Sequence, residues 1–145
     1  VVDCMKNDID IVCGSILFVD KEMRQKRALS SRFVNTKFGY LFGAKPPHPG
    51  FFCKAKYYLI ERYTIKYSIA ADYKLMLKIL MNNSNKIKVI NDILVKMRVG
   101  GKSTENLSAF FIGQIESFNV RKEFFGNLLA ILGIFKPLIS FKFYK

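Results

Sequence analysis

Ile9-Asp10-Ile11-Val12-Cys13-Gly14-Ser15-Ile16-Leu17-Phe18-Val19 is the stretch on which the fold class turns. Nearly every position is apolar or β-branched, so the alternation of a strand with one wet face is lost, as expected for a strand covered on both faces. Gly14-Ser15 inside the run predicts a turn or bulge, giving a buried strand followed by a second, and Asp20 ends it. Further along, Ile69, Tyr73, Met76 or Leu77, and Leu80 recur every three or four residues, predicting an amphipathic helix. Lys74 and Lys78 share its other side, Asp72 falls in its first turn, and Asn82 to Asn85 stops it. Phe51 to Tyr63 reads as a short strand running into a helix. Lys86 to Val99 reads as a hairpin turning at Asn91-Asp92, whose second strand alternates Val95, Met97 and Val99 with Lys96 and Arg98. After a Gly100-Gly101 turn, Ser103 or Thr104 can cap a helix with an apolar face of Leu107, Phe110, Phe111, Ile115 and Phe118. Strands alternate with helices, so the class is α/β or α+β.

The chain's 145 residues suit one domain, and 50% apolar content with 14 Phe and 7 Tyr excludes intrinsic disorder. Cys4, Cys13 and Cys53, with a single His, form neither a disulfide framework nor a zinc-ligand spacing. Asp3, Asp8, Asp10 and Asp20 face Lys6 alone at the start, so residues 21–145 carry +16 although the whole chain carries +13. Such a field attracts nucleic acid, anionic lipid or a phosphorylated small molecule. From Lys21 to Lys56 there are nine basic residues and one acid around Pro46-Pro47-His48-Pro49-Gly50, which reads as a long surface loop.

The start is acidic, without an initiator Met or an apolar signal segment, and reads as that of a truncated or excised chain. Phe124 to Phe135 is greasy but only 12 residues long before Lys136-Pro137, against about 20 needed to span a bilayer. It is expected to lie in a membrane interface, with Arg121, Lys122, Lys136, Lys142 and Lys145 toward headgroups, or to pack on its own or another domain.

Two residues carry the best chemistry. A carboxylate at a helix N-terminus is favoured as the anion by unpaired N–H groups, which suits Asp72 to accept a proton from a hydroxyl, or merely to favour the helix start. His48 between prolines can present an imidazole to a cleft, or be a solvated loop residue. Arg98 beside Gly100-Gly101 offers a guanidinium near close-approach backbone, a weak phosphate-type signal. Asp92 at the expected hairpin tip is ordinary turn chemistry.

Three segments, Pro46 to Lys54, Ile69 to Lys78 and Val95 to Ser103, occur in the order and spacing of bacterial family 2 glycosyltransferases. The chain resembles the later half of that family's GT-A catalytic domain, over residues 1–103, followed by a C-terminal helical segment, 104–145, with membrane-interfacial character. The resemblance implies transfer of a sugar from a nucleotide-sugar donor to a glycan or lipid-linked acceptor, in surface polysaccharide synthesis at the cytoplasmic face of the cell membrane. It implies Asp72 as general base, and His48, Arg98, Gly100, Gly101 and Ser103 as residues bordering the substrate. The family's nucleotide-holding units, ending in an Asp-x-Asp motif for Mg²⁺ or Mn²⁺, would precede Val1. Asp8-Ile9-Asp10 lies where a later strand begins and is not read as that motif. Lys74 replaces a usual acidic residue, and Tyr63 to Ser68 is a shortened approach to the base. The chain thus reads as a fragment or degenerate copy, inactive alone. The alternative is a non-catalytic basic module on anionic lipid or nucleic acid. Nucleic acid is not the expected partner, because no reader motif accompanies the dispersed Lys and Arg.

Overall fold

A computed structural model describes residues 1–6, 8–32, 35–82, 85–100 and 107–132. It is a mixed α/β structure built on a four-stranded mixed sheet. A short helix α1 (Val2–Lys6) precedes β1 (Ile11–Val19), the central strand. β4 (Ile87–Arg98) runs parallel to β1 along its whole length, from Ile11 opposite Ile87 to Val19 opposite Arg98. The other edge of β1 is shared by two antiparallel strands. β3 (Phe51–Cys53) pairs with Ile11 to Cys13, and β2 (Gln25–Leu29) with Ile16 to Val19. Hydrogen-bonded on both edges and covered on both faces, β1 has no wet side, which is why its sequence does not alternate.

Two expected turns are not made. β1 continues as one strand through Gly14-Ser15, where its register with β4 shifts, so the irregularity expected there is a bulge and not a turn into a second strand. The supposed hairpin at Lys86–Val99 is one strand: between the pairs Cys13–Val89 and Ser15–Ile93, β4 uses four residues against two on β1, so Asn91-Asp92 is absorbed in a bulge. The polar pair signalled an interruption of the ladder, and a bulge satisfies that signal as well as a turn does. The long loop expected over Lys21 to Lys56 also holds regular structure. The Asp20 carboxylate accepts from the N–H groups of Glu22 and Arg24 and closes the β1–β2 hairpin. β2 follows, then α2 (Lys37–Leu41), capped by the Thr36 hydroxyl on the Gly39 N–H at 2.9 Å, a 3₁₀ turn (His48–Gly50), and β3.

α3 (Ala55–Ile60) follows β3 as the sequence suggests. α4 (Ala71–Leu80) buries Tyr73, Leu75, Met76, Leu77, Ile79 and Leu80 into a core with Ile11, Cys13, Tyr40, Phe51 and Val120. α5 (Leu107–Leu132) breaks at Gly126, whose φ of 81° and ψ of 170° are open to glycine alone. The apolar face expected of this helix does not meet the core, since Leu107, Phe110, Phe111 and Ile115 are exposed. Its other side docks instead. Val120 is fully buried, and Phe124 and Phe125 pack partly against the core.

Candidate functional site

The cleft is made where the proline-rich loop meets the start of α4. Pro46 is fully buried, and Pro47 and Pro49 restrict the backbone on either side of His48. Gly50 then drops the chain against β1 so closely that a Cβ there would sit 2.1 Å from the Gly14 carbonyl oxygen, so only glycine fits. From the other side, the approach to α4 is held by a carboxylate of α5. Glu116 accepts from the N–H groups of Ser68, Ile69 and Ala70 at 2.9, 2.8 and 2.8 Å, fixing the chain that leads into α4 and satisfying donors that the approach would otherwise leave unpaired. Burial alone would raise the Glu116 pKa, but these N–H donors outweigh it and hold the carboxyl below its ordinary range.

The two anchored segments bring His48 Nδ1 to 3.3 Å from Asp72 Oδ2. The other ring nitrogen, Nε2, lies 3.1 Å from the Tyr63 hydroxyl. Both side chains are half-buried and open onto a cleft of about 400 Å³ whose other walls include Ile16, Phe18, Leu29, Lys45 and Met97. Burial lowers the His48 pKa below its usual 6.5, the Asp72 charge opposes this, and Lys45 adds to it, so the site favours the neutral imidazole. Burial, with the Asp72 carboxylate beside it, pushes the Tyr63 phenol up to about 12. Lys45 itself lies over the Tyr73 ring at 4.4 Å. A carboxylate and an imidazole on the cleft wall, with a hydroxyl at the ring's other nitrogen, can take up and pass on a proton.

The remaining expected site residues are placed differently. Arg98 is exposed at the end of β4 and is not in the cleft wall; the wall takes its neighbour Met97, on the opposite side of the pleat. Gly100 is exposed beyond the strand at φ 94°. Gly101 and Ser103 lie outside the described residues, as does the expected Ser103 or Thr104 cap. Tyr63 and Lys45 were missing from the sequence reading of the site, because a single Tyr or Lys in irregular chain has no spacing to mark it.

The acidic pair near the start is engaged with lysines. Lys86 Nζ bonds Asp8, and Lys54 and Lys56 reach Asp10 at 3.4 and 3.3 Å. Burial opposes ionisation of Asp10, but the Lys86 N–H and these ammonium groups bring its pKa down to about 2. Among the described residues, no three His, Cys, Asp or Glu side chains converge on one point.

Of the cations assigned to lipid headgroups, Arg121 must be withdrawn: it is buried, beside Tyr73, with its Nε unpartnered. Lys122 is exposed, and Lys136, Lys142 and Lys145 lie outside the described residues. Among the described residues, no helix is long and apolar enough to cross a membrane. Compared with known proteins, the chain matches no family model, and no curated protein matches it significantly. The glycosyltransferase resemblance therefore rests on the three segments themselves.

Proposed function

We propose that this cleft activates a hydroxyl group for glycosyl transfer, with the Asp72–His48 pair taking the acceptor proton as a sugar leaves its nucleotide. The observation that carries the reading is the 3.3 Å contact between His48 and Asp72, on segments far apart in sequence, at the wall of a cleft large enough for a sugar ring. The apolar floor of Ile16, Phe18 and Met97 suits the C–H faces of a pyranose. The GT-A likeness of residues 1–103, the nucleotide-sugar donor, a glycan or lipid-linked acceptor and a place at the cytoplasmic face of the membrane belong to the same reading. The nucleotide and any Mg²⁺ or Mn²⁺ with it would be held by residues other than those of this cleft.

The test is transfer from labelled nucleotide-sugars by the longest natural polypeptide containing this chain. Asp72→Asn is expected to lower the rate by about 10² or more, the usual worth of an acid–base group, while thermal unfolding stays unchanged. Full activity in that variant removes Asp72 from the chemistry.

A second reading, a basic module on an anionic membrane surface, is favoured by one observation. Leu107, Phe110, Phe111 and Ile115 form an exposed, uncharged stripe on a chain of net charge +13. Flotation with anionic vesicles tests it, and binding to nucleic acid instead would show a steep loss with salt.

A further inference from the structure

We propose that the proton acceptor of the cleft is Nε2 of His48, that Asp72 is the positioning residue holding this ring as a base, and that the Tyr63 hydroxyl covers Nε2 until an acceptor hydroxyl replaces it. The inference rests on the hydroxyl-activating reading and assigns its base.

The charge beside the ring favours one tautomer. The Asp72 carboxylate, 3.3 Å from Nδ1, favours the imidazole proton on that nitrogen through its charge. In that neutral ring Nε2 is a bare lone pair, and the Tyr63 phenol, 3.1 Å away and also hydrogen-bonded to Asp72, can turn its O–H to cover it. A carboxylate on one nitrogen with a hydroxyl on the other is the arrangement in which imidazole removes a hydroxyl proton. Tyr63 is not itself poised to react, because its surroundings hold its phenol protonated. Its side chain is half exposed on the irregular segment after α3, so it can swing away. In the step, the acceptor O–H bond breaks and an Nε2–H bond forms. The oxygen's electron pair bonds to the sugar carbon of a nucleotide-sugar while the nucleotide leaves with the bonding pair. The imidazolium, stabilised by Asp72, returns its proton to water. The titratable groups around the ring are Asp72 from α4, Lys45 from its own loop and Tyr63, with Tyr58 of α3 and Cys53 of β3 next to Tyr63. β1 and β4 contribute Ile16, Phe18 and Met97 to the same cleft, none of which titrates.

Because His48 is the chain's single His, ¹⁵N-imidazole NMR reads it without overlap and without donor or acceptor present. At pH 7.5 the wild type is expected to show Nδ1 protonated and Nε2 bare, with a titration midpoint below 6.5. Asp72→Asn should shift the tautomer toward Nε2–H and lower the midpoint. A wild-type ring protonated on Nε2, or an Asp72→Asn ring with an unchanged tautomer, overturns the assignment. As a second arm, Tyr63→Phe should speed acylation of His48 by diethyl pyrocarbonate about fivefold, what one ordinary hydrogen bond on Nε2 is worth. An unchanged rate overturns the cover. These outcomes are separate from the fate of the transferase reading, which the nucleotide-sugar assay decides: an Nε2–H ring returns the base to Asp72 and leaves that reading standing.

Discussion

In α4, Tyr73, Met76, Leu77 and Leu80 are buried, whereas in α5 Leu107, Phe110, Phe111 and Ile115, spaced as regularly, face outward. α5 meets the rest of the molecule through another stripe: Glu116, Val120 and Glu123, at intervals of four and three, stand on one side of the helix. Glu116 holds the backbone of Ser68 to Ala70 ahead of α4, and Glu123 pairs with Lys66 at 2.7 Å, Lys74 at 2.5 Å and the Tyr67 hydroxyl at 2.7 Å. One helix is held chiefly by apolar burial, and the other adds carboxylate contacts to a smaller apolar set of buried Val120 and Ala130 with partly buried Phe124 and Phe125. The difference teaches that an apolar stripe shows only what a helix can bury. Where a neighbouring segment offers unpaired N–H groups and lysines, a charged stripe can share the docking face.

The sharpest way to break the comparison is to delete a methyl-rich side chain from each helix. Leu77 is 0% exposed, so Leu77→Ala should cost about 2–5 kcal/mol in urea unfolding. A loss under 1 kcal/mol would mean that α4 is not the packed helix described.

Next in size is the charged contact. Glu116→Ala removes the acceptors of three backbone N–H groups and should cost about 1–3 kcal/mol, the worth of hydrogen bonds to a charged group. Amide exchange should rise first at Ser68 to Ala70 and in α5. The pH dependence follows from the same carboxyls. The Lys66 and Lys74 ammonium groups and the Tyr67 hydroxyl bring Glu123 to about 2, and Glu116 is also held low. Both folded values lie below the ordinary 4.5, so the stability they contribute is full above pH 4.5 and disappears as pH falls toward 2. Unfolding midpoints measured from pH 6 to pH 2 should fall over that window, and Glu123→Gln should flatten the fall. The lowered His48 value acts in the same direction at higher pH: the folded state favours the neutral ring, and its contribution is lost as pH drops below 6.5.

These contacts also mark how far the sequence could be read. Covered strand β1 and helix α4 were legible because apolar residues at period-breaking or helical spacing have few ways to be buried. The helix start at Asp72 and the rigid loop around His48 were legible for local reasons, proline and position in the first turn. Their approach to 3.3 Å was not, because it is set by Gly50 meeting Gly14 and by Glu116 fixing the chain that leads into α4, contacts between distant segments. The parallel pairing of β4 was hidden by Asn91-Asp92, since a polar pair between apolar runs has the same local chemistry in a hairpin turn and in a bulge. Arg98 and Gly100 carried the right residue types for anion binding, but strand alternation and distance along β4 keep them from the cleft wall.

The smallest expected effect on stability is also the most informative about α5. Phe110 and Phe111 are 52% and 61% exposed, their rings in edge contact with each other at 5.8 Å between centroids. Replacing either by Ser removes little buried surface, so unfolding should change by no more than about 0.5 kcal/mol. Lipid association should respond much more strongly, because an aromatic ring entering the headgroup region is newly withdrawn from water. Phe110→Ser/Phe111→Ser is therefore expected to weaken sedimentation with anionic vesicles at least fivefold while Leu77→Ala, at a temperature where it stays folded, leaves it unchanged. If the double variant instead unfolds as readily as Leu77→Ala, the outer stripe of α5 is packed after all and the contrast between the helices fails. If it folds normally and binds vesicles as before, the contrast survives but the stripe is not what meets the lipid, and attraction by the +13 chain alone accounts for the association.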